Sequence, residues 1–262
     1  MASGAHSGDA RPDEAPFAEA LPREPFLEAR GLTRSFGGVK AVDAVDLALA
    51  SGEMRCIIGP NGCGKTTLFN LLTGYLAPTS GEVLFRGRSL AGLSLHEVAR
   101  LGIVRKFQVP SIFPGLTVEE NLRAARAGRP APDRPDVAVA RLSADSGLDR
   151  DARHLAGTLP HGRKQWLERA MVLATEPALM LLDEPAAGMT QTEKRETLRL
   201  IAGLRQESDV AILVIEHDMA FVEGLGCPVS VMVLGRIVAS GAMAEIRRNA
   251  TVRKAYLGTA HG

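Results

Sequence analysis

Aromatic residues are scarce in this chain. Phe, Tyr and Trp together make up 4% of 262 residues, with a single Trp, so any core must be aliphatic. Cysteine is scarce too. Cys56, Cys63 and Cys227 are the only three, and none forms a C-x-x-C pair. Metal-ribbon, dithiol and disulfide-framework readings therefore lack support, and a reducing, cytoplasmic setting is the plain expectation. Net charge is only +1, from 31 basic and 30 acidic residues. The general basic bias of non-specific nucleic-acid binding is missing, and no nucleic-acid partner is expected. Apolar runs are short: Val210–Ile215 has strand length, far below the roughly 18 residues of a membrane span. No basic segment followed by an apolar one opens the chain, so a secretory signal is not expected. Work at a membrane would then proceed by binding something that spans it.

What is present is an ordinary globular balance, 45% apolar and 23% charged, in a chain long enough to bury a substantial core. Residues 1–25, rich in Ala, Pro, Gly, Asp and Glu, read as a disordered tail. From Phe26 the pattern changes. FLEARGLTRSF and VDLALA read as strands around a Gly-Gly turn. EMRCIIG is a short strand entering a Gly-rich loop, with a helix from about Gly64 to Thr73. GEVLFRG and IVRKFQ read as strands. Ser94 with Glu97, Thr117 with Glu120 and Thr190 with Glu193 have capping-box spacing and open helices. The stretch 115–175 looks helical, broken by a Pro-rich loop at 128–136, with its last helix from His161 to Thr175. ALMLLD and VAILVIE are continuous apolar runs, as buried parallel strands require. VSVMVL and RIVASG read as a strand pair, and MAEIRRN as a closing helix. Strands alternating with helices predict an α/β fold: a parallel sheet, an antiparallel β part and a helical insertion.

The strongest chemical signal is Gly59-Pro60-Asn61-Gly62-Cys63-Gly64-Lys65-Thr66, which fits G-x-x-x-x-G-K-[ST] between a strand and a helix. Glycines let the backbone wrap a phosphate, and the helix N-terminus offers it positive potential. Lys65 would reach the β- and γ-phosphates, Thr66 would give Mg²⁺ a hydroxyl, and Thr67 would add a donor. Next, Leu179–Leu182 delivers Asp183 and Glu184 at the end of an apolar strand. Asp183 would hold Mg²⁺ and Glu184 would act as general base on the attacking water. His217 and Gln108 also end strands. Taken singly each reads as structural, but in this context they could contact the γ-phosphate and sense the metal. Cys63, beside a helix N-terminus, is expected to be a reactive thiol that ATP protects.

In order, GPNGCGKTT, FQ, LPHGRKQWLERAMVLA, LMLLDEP and IEHD resemble the ATPase subunits of ABC transporters, over about residues 26–258. The resemblance implies a P-loop NTPase core with a helical subdomain inserted at about 112–165, and ATP and Mg²⁺ as cofactors. It makes Gln108 the Q-loop glutamine and His217 the switch histidine, and it puts Phe36 against the adenine. Leu159-Pro160-His161-Gly162-Arg163 lies where the family carries its LSGGQ-like signature, so Gly162 would approach the partner subunit's ATP in a head-to-tail dimer. The implied partners are transmembrane permeases, docked around Ile112 and Phe113, a second ATPase subunit and, indirectly, a periplasmic solute-binding protein. The implied location is the cytoplasmic face of the inner membrane.

Two signature positions depart from the family pattern. Pro160 stands in place of Ser and Arg163 in place of Gln. Pro suits a first helical turn but offers neither hydroxyl nor N–H. Loss of such a charge-assisted contact would cost about 1.5–3 kcal/mol at the partner's site. This points to a heterodimer with one weakened site. RKFQVPSIF, HGRKQWLE and LLDEPAAGMT look most like the urea-type branch of the branched-chain amino-acid uptake group, with Trp166 a family marker only. A branched-chain amino-acid ATPase is the alternative cargo class. A soluble ABC ATPase acting on DNA or ribosomes fits less well, since there is one cassette, a short insertion and little net charge. A non-hydrolysing regulatory subunit rests on Pro160 and Arg163 alone, against Lys65, Asp183, Glu184 and His217.

Overall fold

The computed structural model describes residues 25–106, 112–126 and 137–257. The tail, the Pro-rich loop at 128–136 and Gln108 lie outside the described residues.

An antiparallel sheet comes first. β1 (Leu27–Phe36) and β2 (Val39–Leu49) join through Gly37 and Gly38, and β4 (Ser80–Phe85) and β5 (Arg88–Ser89) complete the order β2-β1-β4-β5. Between them in sequence lie β3 (Met54–Ile58) and α1 (Lys65–Leu72). A second sheet has the order β10-β9-β3-β8-β7-β6, built with β6 (Ile103–Lys106), β7 (Leu179–Asp183), β8 (Ala211–Ile215), β9 (Val229–Val233) and β10 (Arg236–Gly241). Its pairings are parallel except β10 with β9.

Every residue of β3, β7 and β8 is buried, the signature of strands covered on both faces. Strand alternation then sends neighbours to opposite layers. Met180, Leu182, Ile212 and Val214 join a core beneath α5 (His161–Ala174), α6 (Gln191–Glu207) and α7 (Met219–Leu225). Leu179, Leu181, Leu213 and Ile215 join a second core shared with α1 and the antiparallel sheet.

Helix starts follow the capping chemistry. Ser94, Thr117 and Thr190 each accept from the backbone N–H three residues on, and Glu97, Glu120 and Glu193 reach back. They open α2 (Leu95–Arg100), α3 (Val118–Ala125) and α6. α4 (Val137–Ser146), α8 (Met243–Arg248) and α9 (Ala250–Leu257) complete the α-helices among the described residues, and Ala156–Thr158 forms a short 3-10 turn before α5. α7 and α9 have no counterpart in the sequence reading, although Asp218, which accepts from Ala220 and Phe221, and Gly226 in a left-handed conformation bound α7 cleanly.

The parallel arrangement aligns the C-terminal ends of β3, β7 and β8 on one edge. In open α/β sheets this edge is where ligands bind.

Candidate functional site

The loop after β3 is shaped by steric need at two glycines. Gly64 sits at φ 106°, and a Cβ there would strike the Ala41 carbonyl oxygen. A Cβ on Gly59 would strike the Met232 carbonyl oxygen. The loop is also tied from outside, because the Gly235 N–H donates to the Cys63 carbonyl at 2.9 Å. α1 then begins with no side-chain cap and no acidic residue in its first turn. Its N-terminal potential is left for an anion.

Lys65 is 6% exposed, and its Nζ donates to the carbonyl oxygens of Gly59 at 2.7 Å and Pro60 at 2.9 Å. The ammonium thus lies folded onto the loop. Pro60 and Thr67 are half-buried, while Asn61, Gly62 and Thr66 are exposed at the loop mouth. Cys63 corrects the sequence reading. The thiol is buried, and burial pushes its pKa up more than Lys65 pulls it down. A reactive thiolate is not what this environment makes.

At the end of β7, Asp183 is buried and its Oδ2 accepts from Arg105 Nη2 at 3.0 Å. Glu184 follows in a left-handed conformation, φ 49°, with its N–H bonded to the Ile215 carbonyl of β8 at 2.9 Å. Such a conformation in a non-glycine residue stores strain. His217 Nδ1 lies 3.5 Å from Glu184 Oε1, so the chain brings together two residues 33 positions apart in sequence.

Glu216, missed from sequence, explains this meeting. It is 0% exposed, its Oε1 accepts from the Ala186 N–H at 2.8 Å, and its Oε2 accepts from His217 at 2.9 Å and Asp218 at 3.1 Å. One buried carboxylate laces the loop after β7 to the loop after β8. The signal was available: a charged residue closing an otherwise apolar strand.

Thr66, Asp183, Glu184 and His161 share a cleft of about 950 Å³. A hydroxyl and a carboxylate are hard oxygen donors of the kind Mg²⁺ takes. Among the described residues no group of three or more His, Cys, Asp or Glu side chains could hold a metal. The uncapped N-terminus of α1 beside this cleft suits a phosphate.

Phe36 ends β1 with 46% of its surface exposed and the Arg34 guanidinium 4.8 Å from its ring centre. Arg34 was not singled out from sequence. The ring is held from one side by a cation and stays open to stacking.

Pro160 caps α5 without a side-chain bond, and Gly162 is exposed with nothing within 4 Å of a Cβ built there. Arg163 turns away from that end. Its Nε lies 3.6 Å from Asp151 Oδ2, and its guanidinium covers Gly147. His161 Nε2 lies 3.1 Å from Glu196 Oε1 of α6, with most of the ring exposed. Trp166 is half-buried under Arg169, 4.5 Å from its ring centre.

Ile112 packs against the core while Phe113 is 52% exposed. Asn121, fully buried, holds this loop by accepting from the Phe113 N–H and donating to the carbonyls of Phe113, Leu116 and Thr117. Among the described residues no helix is long and apolar enough to cross a membrane.

Comparison with known proteins agrees with this geometry. The family described as "ABC transporter" matches residues 42–187, and that described as "Branched-chain amino acid ATP-binding cassette transporter" matches residues 236–262. The high-affinity branched-chain amino acid transport ATP-binding protein LivG of Escherichia coli is 40% identical over 257 residues, spanning 90% of this chain and 99% of LivG. BraF of Pseudomonas aeruginosa, with the same description, is 40% identical over 252 residues, at 90% and 99% coverage. Among solved structures, the ADP conformation of an ATP-binding cassette of an ABC transporter superposes with a TM-score of 0.67 at 27% identity, covering 89% of this chain and 99% of that one. A component of the cbiONQ complex of Clostridium perfringens gives 0.70 at 26% identity, covering 90% and 96%.

Proposed function

The chain belongs to the ABC transporter family and is an ATPase coupled to transport, and from that premise we propose that it drives uptake of branched-chain amino acids. The observation that carries this cargo is the end-to-end match to relatives named for it, together with the separate match of residues 236–262. The urea cargo expected from HGRKQWLE draws no support from those relatives, and urea becomes the competing arm of the test.

In this proposal Gly59, Pro60, Asn61, Gly62, Cys63, Gly64, Lys65, Thr66 and Thr67 surround the phosphates of ATP. Lys65 exchanges its two carbonyl partners for phosphate oxygens. Thr66 and Asp183 hold Mg²⁺, and Gln108 senses the metal and the attacking water. Bound Mg²⁺ supplies positive charge to the phosphate oxygens during transfer. Glu184 takes the proton of the attacking water, and the 3.5 Å approach of His217 supports its orientation there. Phe36 stacks on the adenine, and Gly162 approaches the ATP of a second subunit. That subunit is a different chain, a reading supported by Pro160, which has no N–H, and by Arg163, which faces Asp151. Permeases dock at Phe113, a solute-binding protein acts through them, and the chain sits on the cytoplasmic face of the membrane.

The test is ATP turnover of the assembled transporter in vesicles, with binding protein loaded with leucine or with urea. Leucine should stimulate turnover, and Glu184→Gln should remove about two to four orders of magnitude of it while ATP still binds. Stimulation by urea alone would replace the cargo. An unchanged rate in Glu184→Gln would overturn the assignment of the base.

A further inference from the structure

Asp183 reaches the C-terminal edge of the sheet already paired. Arg105, on β6, lies beside β7 in a register that matches Arg105 with Leu181, two residues before Asp183. Its Nη2 donates to Asp183 Oδ2 at 3.0 Å, and its Nη1 donates to Asn70 Oδ1 on α1. The side chains of Arg105 and Asp183 are only 17% and 8% exposed. A full positive charge therefore lies, largely out of water, against the carboxylate assigned above to Mg²⁺. The guanidinium fork also spans the two elements that build the site, the helix opening from the phosphate loop and the strand carrying the acid.

A carboxylate this enclosed demands a counter-charge. With Arg105 in place that demand is met. A divalent cation arriving alone would meet a neutralised acid and a like charge hydrogen-bonded to it. A cation arriving with the phosphates of ATP brings their negative charge, which the guanidinium does not oppose. Arg, always protonated and rigid at its fork, suits such a post better than Lys.

We infer that Arg105 is a positioning residue that stands in for the metal at Asp183, keeping the site closed to free divalent cations until they arrive with a polyphosphate. The inference rests on reading Asp183 as the Mg²⁺ carboxylate, and the controls separate the two.

The experiment is titration of the nucleotide-free chain with Mn²⁺, with free Mn²⁺ followed by electron paramagnetic resonance. The wild type should bind weakly. Arg105→Met should gain one saturable site at least about tenfold tighter, and adding Asp183→Asn should abolish that gain. Arg105→Lys keeps the charge and should stay within about threefold of wild type. Mn²⁺ affinity unchanged or weaker in Arg105→Met overturns the inference, as does tight binding in Arg105→Lys. The Lys variant keeps the idea falsifiable should the Met variant fail to fold. Separately, if Asp183→Asn leaves Mn²⁺-dependent ATP binding of the wild type unchanged, the reading of Asp183 fails instead.

Discussion

Glu216 shows how much one side chain can organise. It is a fully buried carboxyl group with three backbone donors, and His217 Nδ1 lies 3.9 Å from its Oε2. Glu216→Gln keeps the shape, but its amide would turn one acceptor into a donor facing an N–H. We expect a loss of about 1.5–3 kcal/mol in denaturant unfolding. Turnover should fall by more than tenfold while ATP affinity holds, because the Glu184–His217 approach depends on this lacing. Cys63 gives an opposite kind of prediction. Burial pushes its thiol up, so alkylation at pH 7 should be slower than for a small free thiol. Labelling at the free-thiol rate would contradict the buried geometry. At this scale, Lys65, Thr66, Asp183 and Glu184 were legible because their spacing is local. The partners of Glu216 and Asn121 and the direction of Arg163 were not, because each depends on what another segment brings within hydrogen-bond reach.

Two devices stand out among the elements. The turn from β9 to β10 is Leu234-Gly235, at φ 46° and 82°. Such mirror-image turns favour Asn-Gly. Leu234 is 84% exposed, so replacement forfeits no burial. Leu234→Asn should stabilise the chain by about 0.5–1 kcal/mol, readable as a higher midpoint in urea. The capping carboxylates give a pH dependence. Glu97, Glu120 and Glu193 are held below the ordinary range by backbone N–H groups of Ser94, Thr117 and Thr190, and Asp218 first by Lys194 and then by its own helix. Each folded value lies below the unfolded one. Their stabilisation is therefore complete above the unfolded value, about 4, and is lost as pH falls through the folded values. Thermal midpoints should be level between pH 7 and 5 and decline below about 4; a decline beginning near pH 6 would point to histidine instead. The capping boxes were readable from S/T-x-x-E spacing alone. α7 was not, since its seven residues follow a strand and carry too little periodicity to announce a helix.

The whole molecule raises the question of asymmetry. α5 opens on an exposed Pro160, His161 reaches Glu196 of α6 from an exposed position, Arg163 turns to Asp151, and Gly162 leaves its backbone open. If the partner's ATP lies there, Pro160→Ser should restore an N–H and a hydroxyl and raise turnover of the reconstituted transporter by about tenfold or more. No change would remove the case for a weakened site. The α/β order was legible from alternating strand and helix patterns. So was the division into a parallel sheet and an antiparallel part, because the continuous apolar runs of β7 and β8 differ from the mixed pattern of β1 and β2; the strand order within each sheet was not.

The division of the central strands between two cores has a consequence for mutational coupling. Leu181 and Leu182 are bonded neighbours, yet they face different layers, whereas Leu182 and Val214 are register partners within one layer. Truncating Leu181 and Leu182 together should cost nearly the sum of the separate losses. Truncating Leu182 and Val214 together should depart from additivity by about 0.5 kcal/mol or more, because both empty the same space. The sheet would then behave as an insulator: a substitution under α5 and α6 is invisible to the nucleotide-loop side, and each layer can drift in composition on its own.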